Sequence, residues 1–130
     1  MTPHPNAEAI RRGFTAFMKG DLDSARRLFT PDVVWHVAGR GVLSGEFRGF
    51  DAIAGWGAKL AELSGGTFRE QLVDLVADDD WAFQLVTFQA ERRGRKIEDR
   101  SVNVYRMMGG RIAECWVLFG SDRGFDEFWS

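Results

Sequence analysis

The feature that most constrains this chain is a change of hydrophobic period near its midpoint. In the first half, apolar residues recur at helical spacing: Ile10, Phe14, Phe17 and Met18 follow i, i+4, i+7, i+8. Asn6, after Pro3 and Pro5, is predicted to cap this helix, and Gly20 to end it. Asp21 is predicted to cap a second, shorter helix that presents Leu22, Ala25, Leu28 and Phe29 before Thr30-Pro31-Asp32 breaks it. A third helix, capped by Asp51, carries Ile53, Trp56, Leu60 and Leu63 on one stripe and stops at Gly65-Gly66. Past that point the segments 67–77, 81–91, 97–108 and 111–119 are rich in Val, Phe, Leu, Ile and Trp, with "DDD", "RRG" and "GG" turns between them. That pattern suits consecutive antiparallel strands. Helices first and strands afterwards predict an α+β fold with the helices packed on one side of a curved sheet.

At 130 residues the chain has the size of one domain, so residues 1–130 are read as a single unit. The net charge of −2 comes from 17 basic and 19 acidic residues with no long block of one sign. Nucleic acid is therefore an unsuited partner. The densest basic stretch, "ERRGRK" at 91–96, is flanked by acids and reads as a solvated hairpin turn. A single Cys excludes an internal disulfide, and the N-terminal residues lack the apolar core of a secretory signal. No apolar run approaches the roughly 20 residues that span a bilayer. The expected location is the cytoplasm, with no membrane partner.

The run Val33 to Val37 reads as a strand, and the glycine-rich segment Gly39 to Gly49 as an irregular loop. The loop is no G-x-G-x-x-G fingerprint, and its glycines suit a sharp turn and a close backbone approach over a rim. Ser44 lies in no G-x-S-x-G elbow, which speaks against a serine hydrolase. The last residues, "SDRGFDEFWS", form a tail whose Phe125, Phe128 and Trp129 are expected to fold back over apolar surface.

Three stretches, "GDLDSARRLFTPDVVWH" (20–36), "VTFQAERRGRK" (86–96) and "VNVYRMMGGRIAECWVLFG" (102–120), together resemble the ketosteroid isomerase and SnoaL-like branch of the nuclear transport factor-like superfamily. The resemblance implies a cone, in which a strongly bent antiparallel sheet wraps around three helices and encloses a deep apolar pocket. It puts His36 in the first strand, at the place of the isomerases' carboxylate base, and implies that the His36 face looks into the pocket. The helical tyrosine that supplies one oxyanion donor falls on Gly13, and the aspartate that supplies the other falls on Asn103.

An imidazole titrates near neutrality and so suits a base that moves protons between carbons. The alternative for His36 is a structural role, hydrogen-bonded to a nearby carbonyl or carboxylate. Strand alternation puts Ser101, Asn103, Tyr105 and Met107 on one face, with Asn103 and Tyr105 about 7 Å apart. His36, Asn103 and Tyr105 are the catalytic candidates, with in-sheet hydrogen bonding the alternative for Asn103. Phe17, Trp56, Val86, Phe88, Val117 and Phe119 are the candidate walls, and Cys115 shares the parity of Val117. Cys115 has no partner at metal-ligand spacing, so neither a metal nor a thiol nucleophile is supported. The opposite face, with Val102, Val104, Trp116 and Leu118, is too apolar for open water and suggests a homodimer.

Two functions follow. One is cofactor-independent proton transfer on an apolar carbonyl compound, of isomerase, cyclase or dehydratase type. The other is a non-catalytic domain of the same fold that binds an apolar ligand or serves dimerisation.

Overall fold

The computed structural model describes residues 3–130. Helix α1 (Pro5–Met18) starts with proline at its first position, where the absent N–H would have no helical acceptor anyway. His4, not Asn6, is the cap: its Nδ1 accepts from the Asn6 backbone N–H at 3.0 Å. Asn6 is buried inside the first turn and its Nδ2 donates to the carbonyls of Asp78 and Asp79. That side chain thus ties α1 to a strand turn far along the chain. In α2 (Leu22–Arg26) Asp21 caps as expected, accepting from the Ser24 N–H at 3.2 Å.

Helix α3 (Phe50–Leu63) begins after Gly49, at φ +83°, without a side-chain cap. Asp51 lies one step inside, where its carboxylate faces the positive end of the helix and accepts from Arg26 at 2.5 Å. The segment after residue 120 is not a tail but a helix, α4 (Asp122–Trp129), capped by Ser121 Oγ accepting from the Gly124 N–H. Its Phe125, Phe128 and Trp129 are all buried. The described residues therefore hold four helices, one more than expected.

Six strands form one sheet: β1 (Phe29–Val37), β2 (Gly45–Arg48), β3 (Arg69–Ala77), β4 (Trp81–Arg92), β5 (Arg95–Met108) and β6 (Arg111–Phe119), in the order β2-β1-β6-β5-β4-β3. The glycine-rich stretch is not wholly loop, since β2 pairs antiparallel with β1, Trp35 opposite Phe47. Nor is the sheet wholly antiparallel, because β1 runs parallel to β6. The β4–β5 hairpin turns on Arg93 and Gly94 and the β5–β6 hairpin on Gly109 and Gly110, all at positive φ. Two consecutive left-handed residues match the twist of the flanking strands, which explains the "RG" and "GG" pairs.

One side of this curved sheet carries the core. Along β1 the buried residues are Val33, Trp35 and Val37, along β5 Ser101, Asn103, Tyr105 and Met107, and along β6 Cys115 and Val117. Helices α1 and α3 lie against that face. The second cluster, under α4, gathers Leu43, Leu60, Phe88, Phe125 and Trp129.

Candidate functional site

A cavity of about 130 Å³ lies between the inner face of the sheet and helices α1, α3 and α4. Its walls are mostly apolar, with Phe14 and Phe17 from α1, Trp56 and Leu60 from α3, Phe88 and Phe119 from the strands, and Phe125 from α4. Phe119 and Phe125 stack with centroids 3.7 Å apart and planes 14° apart, so α4 closes one end. Gly13 is part of the wall, and a Cβ there would lie 2.4 Å from Leu28 Cδ2. Only a residue without a side chain lets α1 and Leu28 meet this closely.

The glycine-rich loop reaches the same end. Arg40 N–H donates to Asp126 on α4 at 2.7 Å, and a Cβ on Gly39 would meet that carboxylate at 2.5 Å. Trp56 Nε1–H donates to the Leu43 carbonyl at 2.9 Å, fixing the loop to α3. The close approach expected of these glycines is thus made to α4.

His36 is not in the cavity. The pairing of β1 with β6 is irregular between Phe29 and Val34, and beyond that point Trp35 is buried on the inner face while His36 lies on the outer one. On the outer face the imidazole stacks on Trp116, and its Nε2 lies 2.6 Å from Glu114 Oε2. A carboxylate can only accept, so Nε2 is the donor. Glu46 stands 3.6 Å from the other ring nitrogen. His36 and Asn103 therefore do not converge on one hollow, and the structural alternative describes this histidine.

Asn103 and Tyr105 do line the cavity, together with Gln84, which sequence reading passed over. The register of β4 on β5 sets Gln84 directly opposite Asn103. Tyr105 O–H donates to Gln84 Oε1 at 2.5 Å, and Asn103 Nδ2 donates to the same oxygen at 3.2 Å and to Tyr105 Oη at 3.3 Å. Desolvation, above all, pushes the Tyr105 phenol well above its ordinary pKa, so it stays protonated. Among the described residues, Gln84 Nε2, Asn103 Oδ1 and Trp35 Nε1 are buried without a partner. All three belong to residues on the cavity wall.

Phe17, Trp56, Phe88, Val117 and Phe119 line the cavity, whereas Val86 and Cys115 do not. Both have the inward parity but are completely covered. Val86 lies between Gln84 and Phe88, which reach further, and Cys115 is part of the core cluster that includes its cross-strand neighbour Tyr105. Burial pushes the Cys115 thiol well up, which disables it as a nucleophile.

The most informative cavity residue is one the sequence reading did not single out. Glu70, on the edge strand β3 opposite Phe88, is half-buried and lines both the cavity and an open groove beside it. Desolvation raises its pKa to about 7. The signal was available: Glu70 shares the inward phase of β3 with Leu72, and Gln84 shares that of β4 with Ala82, Val86, Phe88 and Ala90. A polar residue in the apolar phase of a strand is the mark of a cavity contact or a buried network. Among the described residues no group of three His, Cys, Asp or Glu side chains is arranged to hold a metal.

Comparison with known proteins agrees with this architecture. The chain is similar to Bal32a from a soil-derived mobile gene cassette, with 31% identity, 97% of each chain covered and a TM-score of 0.90. It is similar to a Xanthomonas campestris protein of unknown function with a cystatin-like fold, at 27% identity, 96% and 98% coverage and a TM-score of 0.85. An uncharacterized protein of Mycobacterium tuberculosis is 29% identical over the whole of both chains. Residues 10–115 match the family described as SnoaL-like domain. A bent six-stranded sheet around an apolar cavity, together with that match over most of the chain, makes this protein a member of the SnoaL-like domain family.

Proposed function

We propose that the cavity carries out cofactor-independent proton transfer on a small apolar carbonyl compound, with Glu70 as the base. What supports this is the place of Glu70 on the wall of a mostly apolar hollow, next to Phe88, where burial raises its pKa to about 7. A base of that pKa is half ionised at neutral pH and loses little in taking or returning a proton. The Glu70 carboxylate removes a proton from the carbon next to the carbonyl, and the C–H electron pair moves to the carbonyl oxygen. The Trp35 N–H, buried without an acceptor, is the donor we assign to that oxygen. Glu70 then returns the proton to the same carbon or to a conjugated one. This reading replaces His36 and keeps Asn103 and Tyr105 as part of the site, where they hold the ligand.

The test is solvent deuterium incorporation into cyclohexanone and 2-cyclohexen-1-one, followed by NMR. Exchange is expected to exceed that of Glu70→Gln by about 10²–10⁴-fold, the usual contribution of a positioned base. Exchange equal in both proteins overturns the reading. Ligand binding without any exchange would identify the second function, an apolar-ligand-binding domain.

We also propose that the outer face of the sheet pairs two copies of the chain. Trp81, Phe83 and Leu118 are 40%, 46% and 47% exposed there, and Val102, Val104 and Trp116 lie in register beside them. A continuous apolar surface of this kind on a small domain is the mark of an interface. No helix among the described residues is long and apolar enough to cross a membrane.

A further inference from the structure

Gln84 and Asn103 present to the cavity two amides that bond each other across β4 and β5, and each keeps one end unpaired. Gln84 is fully buried and Asn103 is 8% exposed. As assigned, the free ends are the Gln84 N–H₂ and the Asn103 C=O. Turning both amides over exchanges the two roles and leaves the same balance, one free donor and one free acceptor. Turning only one sets oxygen against oxygen or nitrogen against nitrogen. The Tyr105 hydroxyl does not change the count: as assigned its proton goes to Gln84 Oε1, and with both amides turned over the atom 3.3 Å from it is Asn103 Oδ1, which accepts it instead.

A buried acceptor left unpaired destabilises the complex, so a ligand that offers only a carbonyl or an oxyanion satisfies half of this pair and opposes the other half. A hydroxyl satisfies both, accepting from the free N–H and donating to the free C=O. The size of the hollow sets a second limit. At about 130 Å³ it is close to the roughly 150 Å³ apolar cavity that holds benzene, one ring and little more. We infer that the cavity takes a single-ring apolar compound through a neutral hydroxyl clamped between Gln84 and Asn103. In the reaction proposed above this hydroxyl is the recognition handle and the enolising carbon lies elsewhere on the ligand. The inference thus rests on the cavity being the ligand site, but not on Glu70 being a base.

Phenol and toluene are the discriminating pair, being one ring each and nearly equal in size. Calorimetric titration at pH 6 is expected to show phenol binding at least tenfold tighter than toluene to the wild-type protein. In Asn103→Leu, toluene is expected to bind at least as tightly as phenol, and toluene binding itself reports that this variant is folded. Equal affinities in the wild type, or a preference for phenol that survives Asn103→Leu, overturns the inference. If phenol is preferred but no ketone exchanges deuterium, the hydroxyl clamp stands and the catalytic reading falls. Exchange together with equal affinities sinks the clamp alone. If neither probe binds up to its solubility, the cavity is not a ligand site and both fall.

Discussion

The rings of His36 and Trp116 lie 13° from parallel, with centroids 5.3 Å apart, on the face of the sheet turned away from the cavity. Glu114 accepts from the same imidazole and also from Arg106 Nε at 3.4 Å. The hydrogen bond from His36 is the foremost cause holding the Glu114 carboxyl below its ordinary pKa, with Arg106 adding to it. His36→Ala is expected to lower stability by about 1 kcal/mol at neutral pH, as for a partly exposed ion pair. It should leave deuterium exchange unchanged. Because the folded-state pKa of Glu114 is depressed, its contribution is complete above the unfolded value of about 4.5 and disappears as pH falls through the folded one. Urea unfolding of both proteins from pH 7 downward checks this, since the gap should narrow as pH falls below about 4.5.

Glu70 has the opposite sign. Its pKa is raised to about 7, so between the unfolded value of 4.5 and 7 the native state binds more protons than the unfolded chain, and stability falls as pH rises. Glu70→Gln is expected to be more stable than wild type at pH 8, by up to about 3 kcal/mol, and no more stable near pH 4. The same substitution should abolish exchange. Thermal unfolding across this pH range is the measurement, and a destabilised variant at pH 8 would show that the carboxylate is not desolvated.

Phe125 joins the end of the cavity to α4 through its stack on Phe119 and is 2% exposed. Phe125→Ala is expected to destabilise by about 3–5 kcal/mol, the range for deleting a buried ring. Enlarging the hollow should also shift ligand preference from one ring towards two. Naphthalene binding to Phe125→Ala, compared with wild type by tryptophan fluorescence, reads this change.

On the outer face, Trp81 packs beside Trp116 with ring centroids 6.1 Å apart and planes tilted by 35°. Leu118→Arg combined with Trp81→Glu is expected to convert a dimer into a monomer in sedimentation equilibrium, with little loss of the monomer's own stability because both side chains are substantially exposed. An unchanged mass for the double variant would place the interface elsewhere.

The four long strands and the three N-terminal helices were legible because each has a strong hydrophobic period and most are bounded by turn residues, several of them at positive φ. The "RRG" and "GG" turns, for example, fall where Arg93-Gly94 and Gly109-Gly110 reverse the chain. Alternation correctly grouped Asn103 with Tyr105, since within one uninterrupted strand parity needs no external reference. It also separated His36 from Val33, Trp35 and Val37 correctly; what failed was the inward direction that the resemblance implied for the His36 face, because periodicity gives which residues share a face, not which face is inward. In β1 the pairing with β6 is irregular between Phe29 and Val34, a feature that no period reveals. Asn6 was misread as a cap because its partners, the Asp78 and Asp79 carbonyls, lie more than seventy residues away. Glu70 escaped notice because a lone glutamate on an edge strand looks solvated until α1, α3 and α4 are placed over it. The parallel β1–β6 pair and α4 are likewise products of tertiary assembly.

The irregular step in β1 between Phe29 and Val34 acts as a frame selector for everything that follows it to Val37. A one-residue shift of frame there would turn the side chains of Val33 to Val37 over together, setting His36 towards the cavity and Trp35 away from it. The placement of imidazole or indole at the cavity wall is thus a property of strand frame as much as of residue identity. Chemistry in such a scaffold can be changed by sliding one strand rather than by substituting the residues that perform it.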